Sequence, residues 1–219
     1  MVKLAVLVSG GGTNLQSIID SIEAGRLDAG LLVVLSDNPG AYALERARKH
    51  SIPTEIVTRG DFPGKDAFDA EIARRLKSYG VELVALAGFM RIIGPAMLDA
   101  FPMRVINIHP SLLPSFPGLD VQRKALEHGV KLSGCTVHFV DAGVDSGPVI
   151  IQAAVPVLDD DTVESLARRI LAEEHKIYPK AIQLFSEGRI TVNGRRVIIR
   201  DSAASGTELE NPESFIRKG

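Results

Sequence analysis

Apolar and polar positions in the first half of the chain fall into two kinds of segment. Short runs that are continuously apolar predict strands at 4–8, 31–35, 54–57, 83–87 and 105–108. Between them, segments with apolar residues every three or four positions predict helices at 14–24, 41–49 and 66–79. Strands and helices in alternation, with strands apolar on both faces, predict a doubly wound α/β fold with a mostly parallel sheet.

The pattern changes after about residue 132. Two longer β-like stretches, 134–140 and 149–157, predict an antiparallel addition to the sheet. Residues 189–200 predict a hairpin around an Asn-Gly dipeptide, which suits a tight turn. We therefore expect one domain over residues 1–200, followed by a polar tail at 201–219.

A long helix is predicted after the second of these stretches. Asp161 is the expected N-cap, and Glu164 stands at the spacing of a capping box. Pro179 predicts a kink or a break, because proline cannot donate the backbone hydrogen bond of a helix interior.

Charge and cysteine usage narrow the classes of partner. The 219 residues carry a formal net charge of −2, which provides no overall attraction to nucleic acid or to an anionic membrane. Cys135 is the single cysteine, so neither an internal disulfide nor a cysteine-rich metal site can form, and we expect a buried, inert thiol. The apolar start of the chain is too short for a membrane span. We expect a cytoplasmic monomer or homodimer that acts on small molecules without a metal.

A glycine-rich turn, SGGGTN at residues 9–14, joins the first strand to the first helix. Backbone N–H groups at a helix start favour a phosphate, so the turn predicts an anion site. A dinucleotide fingerprint fails because Leu15 replaces its third glycine. Two alternatives stay open, namely a dehydrogenase-like site with Asp37 binding a ribose, and a purely structural turn capped by Ser9 or Thr13.

Polar residues also mark the end of the fifth strand. Asn107 and His109 are two positions apart, so both side chains point to the same face, and Pro110 ends the strand. Ligands bind at such strand ends in doubly wound folds. The pattern alone leaves a structural histidine equally open. Glu174 lies on the apolar stripe of the long helix and needs a partner, either a ligand or an ordinary Arg or Lys.

The segment NIHPSLLP at 107–114, together with Asp145, resembles the signature of the folate-dependent formyltransferases. Further matches narrow the resemblance to the phosphoribosylglycinamide formyltransferases (glycinamide ribonucleotide transformylases), which have a Rossmann-like formyltransferase fold. These matches are SGGGTNL at 9–15, LAGFMRI at 86–92, VHFV at 137–140, GPVI at 147–150 and EHKIYP at 174–179.

The resemblance implies transfer of the formyl group of 10-formyltetrahydrofolate to the amine of 5'-phosphoribosylglycinamide in purine biosynthesis. It implies a nucleotide phosphate site in the N-terminal half and a folate site in the C-terminal half. The implied catalytic residues are Asn107, His109 and Asp145. The implied binding residues are Gly12, Thr13 and Asn14 for the phosphate, Glu174 for the ribose, and Lys65, Met90, Arg91, Ile92, Ile93 and Asn107 for the folate.

The chemistry suits these residue types. An amine that attacks a formyl carbon creates a negative oxygen, which an Asn amide and a protonated His can stabilise. A carboxylate such as Asp145 favours the charged imidazole, and His109 could pass a proton to the departing nitrogen.

Two departures from the family pattern concern the folate. Lys65 stands where Arg is common, and Asp120, Val121 and Gln122 stand where histidines are common. Lysine keeps the charge but loses the bidentate fork of arginine.

Three competing functions remain. Methionyl-tRNA formyltransferase shares the centre but carries a further tRNA-binding domain, and formyltetrahydrofolate hydrolase uses water as the acceptor. A non-catalytic nucleotide-binding module would use only the glycine turn and Asp37.

Overall fold

The computed structural model describes residues 1–200; the predicted polar tail lies outside the described residues. The elements in chain order are β1 (Val2–Val8), α1 (Thr13–Glu23), β2 (Ala29–Ser36), α2 (Tyr42–Lys49), β3 (Thr54–Ile56), α3 (Lys65–Ser78), β4 (Leu83–Leu86), α4 (Pro95–Ala100), β5 (Val105–His109), α5 (Val121–Glu127), β6 (Leu132–Phe139), β7 (Val149–Pro156), α6 (Val163–Ser186), β8 (Ile190–Asn193) and β9 (Arg196–Ile199).

Seven strands form one sheet in the order β3-β2-β1-β4-β5-β6-β7. The first five of these are parallel, whereas β6 pairs antiparallel with β5 and with β7. Strands β8 and β9 form a separate antiparallel hairpin. The predicted doubly wound sheet and its antiparallel addition are both confirmed.

Two apolar cores cover the two faces of this sheet. Leu4 and Val6 of β1 face the core shared with α1, α2 and α6, while Ala5 and Leu7 face the core shared with α3 and α4. Successive side chains of a strand point to opposite faces, so a continuously apolar strand serves both cores. No helix within residues 1–200 combines the length and the apolar character that a membrane span needs.

The sheet topology creates a crevice between β1 and β4. The chain leaves β1 toward β2 on one side, but it returns from β3 to β4 on the other side of β1. The loops after β1 and β4 therefore diverge at the carboxyl edge of the sheet. Such a switch point is where doubly wound folds bind their ligands.

The predicted start of α6 is wrong in detail. The N-cap is Thr162, whose hydroxyl accepts the N–H of Ser165, and the Ser165 hydroxyl accepts the N–H of Thr162 in return. Asp161 is engaged elsewhere, because its carboxylate pairs with Arg169 at 2.7 Å. The ion pair leaves the capping role to the next residue.

The predicted break at Pro179 is also wrong. Helix α6 continues from residue 163 to residue 186 with Pro179 inside it. Buried Tyr178 and Ile182 pack on either side of the proline, and the Tyr178 hydroxyl donates to the carbonyl of Leu86 at 2.8 Å. Tertiary packing on both sides thus holds the helix together where its local hydrogen bonding is interrupted.

Candidate active site

A pocket of about 520 Å³ opens at the carboxyl edge of β4 and β5. It is walled by the segment after β4, the end of β5, the start of α5 and the loop between β6 and β7. The residues predicted from the sequence that line it are Asn14, Met90, Arg91, Ile92, Ile93, Asn107, His109, Asp145 and Glu174.

A smaller pocket of about 290 Å³ lies beside the first. The glycine turn, residues 9–14, forms one wall, and Ala87, Gly88 and Met90 form the other. Asn14, Gly88 and Met90 line both pockets. The predicted phosphate residues Gly12 and Thr13 therefore stand directly beside the Asn–His strand end.

Strand pairing sets the position of Asn107. It lies opposite His138 in the antiparallel pair of β5 and β6, and its amide nitrogen is 3.3 Å from Nε2 of His138. Nδ1 of His138 donates to the carbonyl of Phe139 at 2.9 Å, which leaves Nε2 as the acceptor. Burial lowers the pKa of His138, in agreement with a neutral ring. His138 thus orients the Asn107 amide, whose second N–H is available to the pocket.

His109 lies between two oxygen acceptors. Its Nε2 is 3.0 Å from the carbonyl oxygen of Phe116, and its Nδ1 is 3.4 Å from a carboxylate oxygen of Asp145. Only 5% of the residue is exposed. An imidazolium would have an acceptor for each of its two N–H groups in this arrangement.

Asp145 connects three parts of the pocket. Its Oδ2 also accepts the backbone N–H of Gly118 at 2.8 Å, and its Oδ1 is 3.7 Å from Nε2 of His138. Asp145 has a φ of 49°, a conformation that is uncommon for residues other than glycine. The turn between β6 and β7 therefore directs this carboxylate back toward the end of β5.

Thr136 was not identified from the sequence. This fully buried residue pairs with His109 across the strands, and its hydroxyl donates to the carbonyl of Ser111 and accepts the N–H of Leu113. The amide of Gln152 donates to the same hydroxyl and to the carbonyl of Leu113. The signal in the sequence was a threonine between the apolar residues Cys135 and Val137 of this strand. These bonds fix the proline-rich loop that carries the Phe116 carbonyl.

The glycine turn is shaped by a close approach of α2. Gly12 has a φ of 72°, and a Cβ at this position would lie 2.6 Å from Cβ of Ala43. Only glycine fits both constraints. Helix α1 has no side-chain cap, so the structural alternative in which Ser9 or Thr13 caps it is wrong. The first N–H groups of α1 therefore stay available at the pocket.

Glu174 is buried, lines the larger pocket and contacts Asn14, which lines both pockets. Its carboxylate accepts the Asn14 amide at 2.7 Å, and 6% of the residue is exposed. Burial raises its pKa, although the hydrogen bond from Asn14 acts in the opposite direction. Within residues 1–200 it forms no ion pair with a Lys or Arg, so the salt-bridge alternative is not what the structure holds there.

The wall after β4 is apolar and open. Met90 and Ile92 are 66% and 61% exposed, and Leu119 and Val144 are exposed on the opposite side of the pocket. Asp120, Val121 and Gln122, where the sequence departs from the family pattern, also line this pocket. Exposed apolar side chains gathered around one cavity indicate a binding surface for an apolar part of a ligand.

Lys65 lies outside both pocket linings. It is the exposed first residue of α3, with its amine next to the backbone of Gly94. Its contact with the folate stays a prediction.

Asp37 has no contact with either pocket. Its carboxylate accepts the Ser9 hydroxyl and Nε of Arg91, each at 2.6 Å. Both oxygens are therefore occupied by the protein itself, which removes the support for a dehydrogenase-like ribose site.

Cys135 is fully buried on β6, and burial raises the pKa of its thiol to about 12. We expect no alkylation by iodoacetamide at pH 8 in the native protein, because thiolate is the reactive form. One equivalent should react after unfolding in urea. Mass spectrometry of the intact protein measures both states, and rapid native labelling would contradict the expectation.

The fold and the site together define a class: a doubly wound α/β protein with an Asn–His–Asp cluster beside a glycine-rich turn. A family model described as formyl transferase matches residues 2–182. The chain belongs to this formyl transferase family.

Individual relatives have similar sequences and structures. The chain is 41% identical over 191 residues to the phosphoribosylglycinamide formyltransferase of Escherichia coli K12, with 87% of this chain and 90% of the relative covered. It is 46% identical over 193 residues to the trifunctional purine biosynthetic protein adenosine-3 of Drosophila melanogaster, with 87% of this chain covered, but it spans only 14% of that protein's length. The crystal structure of glycinamide ribonucleotide transformylase 1 from Symbiobacterium toebii superposes with a TM-score of 0.91, 60% identity, and coverage of 92% of this chain and 95% of the other.

Proposed function

We propose that this protein transfers the formyl group of 10-formyltetrahydrofolate to the amine of 5'-phosphoribosylglycinamide, giving formylglycinamide ribonucleotide and tetrahydrofolate in purine biosynthesis. The observation that carries the proposal is the convergence of Asn107, His109 and Asp145 in a pocket that adjoins the glycine turn. The named relatives support the same acceptor and the same pathway.

The proposed chemistry begins at the formyl carbon. The substrate amine forms the new C–N bond, and the carbonyl oxygen becomes negative. The Asn107 amide, oriented by His138, donates a hydrogen bond to this oxygen. In the proposed complex a protonated His109 keeps its Nδ1 contact with Asp145 and exchanges its Nε2–H bond to the carbonyl of Phe116 for one to the same oxygen. The nucleophile belongs to the substrate, so the buried Cys135 has no role in the reaction.

Collapse of this species breaks the bond between the formyl carbon and N10 of the folate. The nitrogen of the former amine loses a proton, and N10 gains one. His109 is the group proposed to deliver a proton to N10, and the proton that the former amine loses returns His109 to its charged form. Asp145 stabilises the charged imidazole and, through Gly118, holds the neighbouring loop against it.

Two features favour a phosphorylated ribose as the carrier of the amine. In the proposed complex the N–H groups of Gly12, Thr13 and Asn14 bind the phosphate at the start of α1, where the helix dipole favours an anion. Glu174 accepts hydrogen bonds from the ribose hydroxyls, as its buried position beside Asn14 permits. The N-terminal half of the domain 1–200 then provides the phosphate part of the nucleotide site, and Glu174 of α6 provides its ribose part.

The folate is proposed to lie along the apolar wall of the larger pocket. Met90, Arg91, Ile92 and Ile93 form one side of this wall. An apolar surface edged by polar groups suits a flat heterocycle. The tail of the folate would extend past this wall, and the proposed contact with Lys65 belongs to that tail. A cytoplasmic location and a monomeric or homodimeric state stay predictions.

A spectrophotometric assay with three acceptor conditions tests the proposal. Purified protein and 10-formyltetrahydrofolate are combined with 5'-phosphoribosylglycinamide, with water alone, or with methionyl-tRNA. We expect tetrahydrofolate release only with the ribonucleotide. Equal release of tetrahydrofolate with water alone would favour a formyltetrahydrofolate hydrolase. Formyl transfer to methionyl-tRNA would favour a methionyl-tRNA formyltransferase. Folate binding without turnover under any of the three conditions would contradict the assignment as an enzyme.

Glu174→Ala is expected to raise KM for the ribonucleotide by roughly tenfold, because the proposed ribose hydrogen bonds to a carboxylate are lost. KM for the folate should change much less. Glu173→Ala is the matched control, since Glu173 precedes it on α6 but pairs with Lys176 at the surface. An unchanged ribonucleotide KM in Glu174→Ala would assign the carboxylate a structural role.

A further inference from the structure

We propose that Asp37 is a positioning residue for both substrate pockets. Its hydrogen bonds hold the glycine turn of the smaller pocket and the segment after β4 in fixed positions relative to each other. The inference rests on the proposed function, since it takes the smaller pocket as part of the ribonucleotide site and the segment after β4 in the larger pocket as part of the folate site. Asp37 itself lies directly after β2 and lines neither pocket. It acts through two residues that do, Ser9 and Arg91.

The first connection runs to the glycine turn. The Ser9 hydroxyl donates to Oδ1 of Asp37 at 2.6 Å and accepts the backbone N–H of Met90 at 2.8 Å. The backbone N–H of Ser9 donates to the carbonyl of Gly88 at 3.1 Å. Ser9 therefore joins the turn that forms the smaller pocket to the segment that both pockets share.

The second connection runs to the folate wall. Nε of Arg91 donates to Oδ2 of Asp37 at 2.6 Å, and the Asp37 side chain is only 4% exposed, whereas that of Arg91 is 48% exposed. The buried carboxylate of Asp37 thus accepts two short hydrogen bonds, one from Ser9 and one from Arg91. These two residues are far apart in the sequence. Hydrogen bonds to a charged, desolvated group are stronger and more directional than exposed ones.

The arrangement has a consequence for catalysis. The catalytic groups Asn107, His109 and Asp145 are on β5 and on the loop after β6, and none of them is bonded to Asp37. Loss of the Asp37 carboxylate should therefore loosen both binding walls while the reacting groups stay in place. We therefore expect loss of this carboxylate to raise both the KM for the folate and the KM for the ribonucleotide, with little change in kcat.

The test uses Asp37→Ala, Asp37→Asn and a control, Asp161→Ala. Asp161 is also a buried carboxylate that bridges a serine and an arginine, Ser165 and Arg169, but it lies at the start of α6 and lines neither pocket. Each variant removes or alters one such bridge. Thermal unfolding measures the Tm of each variant and so its loss of stability. Steady-state kinetics measure its KM for each substrate.

We expect Asp37→Ala to raise the KM for the folate and the KM for the ribonucleotide by roughly tenfold each, with kcat within about twofold of the wild type. Asp37→Asn keeps the volume and an acceptor, so its increases should be roughly threefold, and it provides the test if the alanine variant does not fold. Asp161→Ala should lower Tm comparably and leave both KM values within about twofold.

Three results would overturn the inference: unchanged KM values in both Asp37 variants, a rise in only one KM, or equal KM rises in the Asp161 control. Wild-type turnover with the two substrates tests the proposed function separately. An active wild type with unaffected Asp37 variants therefore rejects the positioning role alone.

Discussion

Replacing His109 with alanine is expected to lower kcat by at least roughly a thousandfold while the protein stays folded. The imidazole is proposed both to stabilise the oxyanion and to deliver the proton to N10, and each role is worth about a hundredfold or more. The methyl side chain of alanine performs neither. Both KM values should change little, because the contacts proposed to bind the ribonucleotide and the folate come from other residues of the pocket. Single-turnover kinetics with saturating substrates measure the effect directly.

His50→Ala is the matched control for this variant. His50 also faces a carboxylate, Glu23, at 2.6 Å, but it lines neither pocket. Its replacement should leave kcat within about twofold, because His50 lies outside both pockets. If His109→Ala kept a normal kcat, the assignment of the catalytic centre would be refuted.

Asp145→Asn is expected to lower kcat by roughly a hundredfold. The amide can still accept the Gly118 N–H, but it provides no negative charge to stabilise a protonated His109. The variant therefore separates the electrostatic role of the carboxylate from its support of the loop. The measurement is kcat with both substrates saturating.

Asp145→Ala provides the second arm of this experiment. It removes the loop contact as well, so it should lower kcat further and also raise the folate KM. Equal kcat of Asp145→Asn and the wild type would exclude an electrostatic role for this carboxylate.

The sequence predicted most of the fold because its signals are local. Continuously apolar strands and helical spacing identified β1 to β7 and α1 to α3 within a few residues of their observed bounds. The short helices α4 and α5 were missed, since six and seven residues are too few to establish a periodicity. The predicted break at Pro179 is wrong because the packing that keeps α6 continuous comes from residues that are distant in the chain.

In the candidate site, too, the contacts set by local spacing were predictable and those set by the tertiary fold were not. The spacing of Asn107 and His109 places both on one face of a strand, so their proximity was predictable, whereas the approach of Asp145 came from the family resemblance. The network of Ser9, Asp37 and Arg91 could not be read from spacing, because it depends on the adjacency of β1, β2 and β4. Only the order of strands in the sheet brings these residues together.

The outer strands of the sheet have a consequence for behaviour at high concentration. An unpaired strand edge is a template for aggregation by strand addition. Here β3 has only three residues and follows Pro53, while β7 begins after Pro148, ends at Pro156 and is contacted by β9. Proline offers no backbone N–H to an incoming strand. The sheet can therefore keep its carboxyl edge open to two ligands while its lateral edges resist self-association.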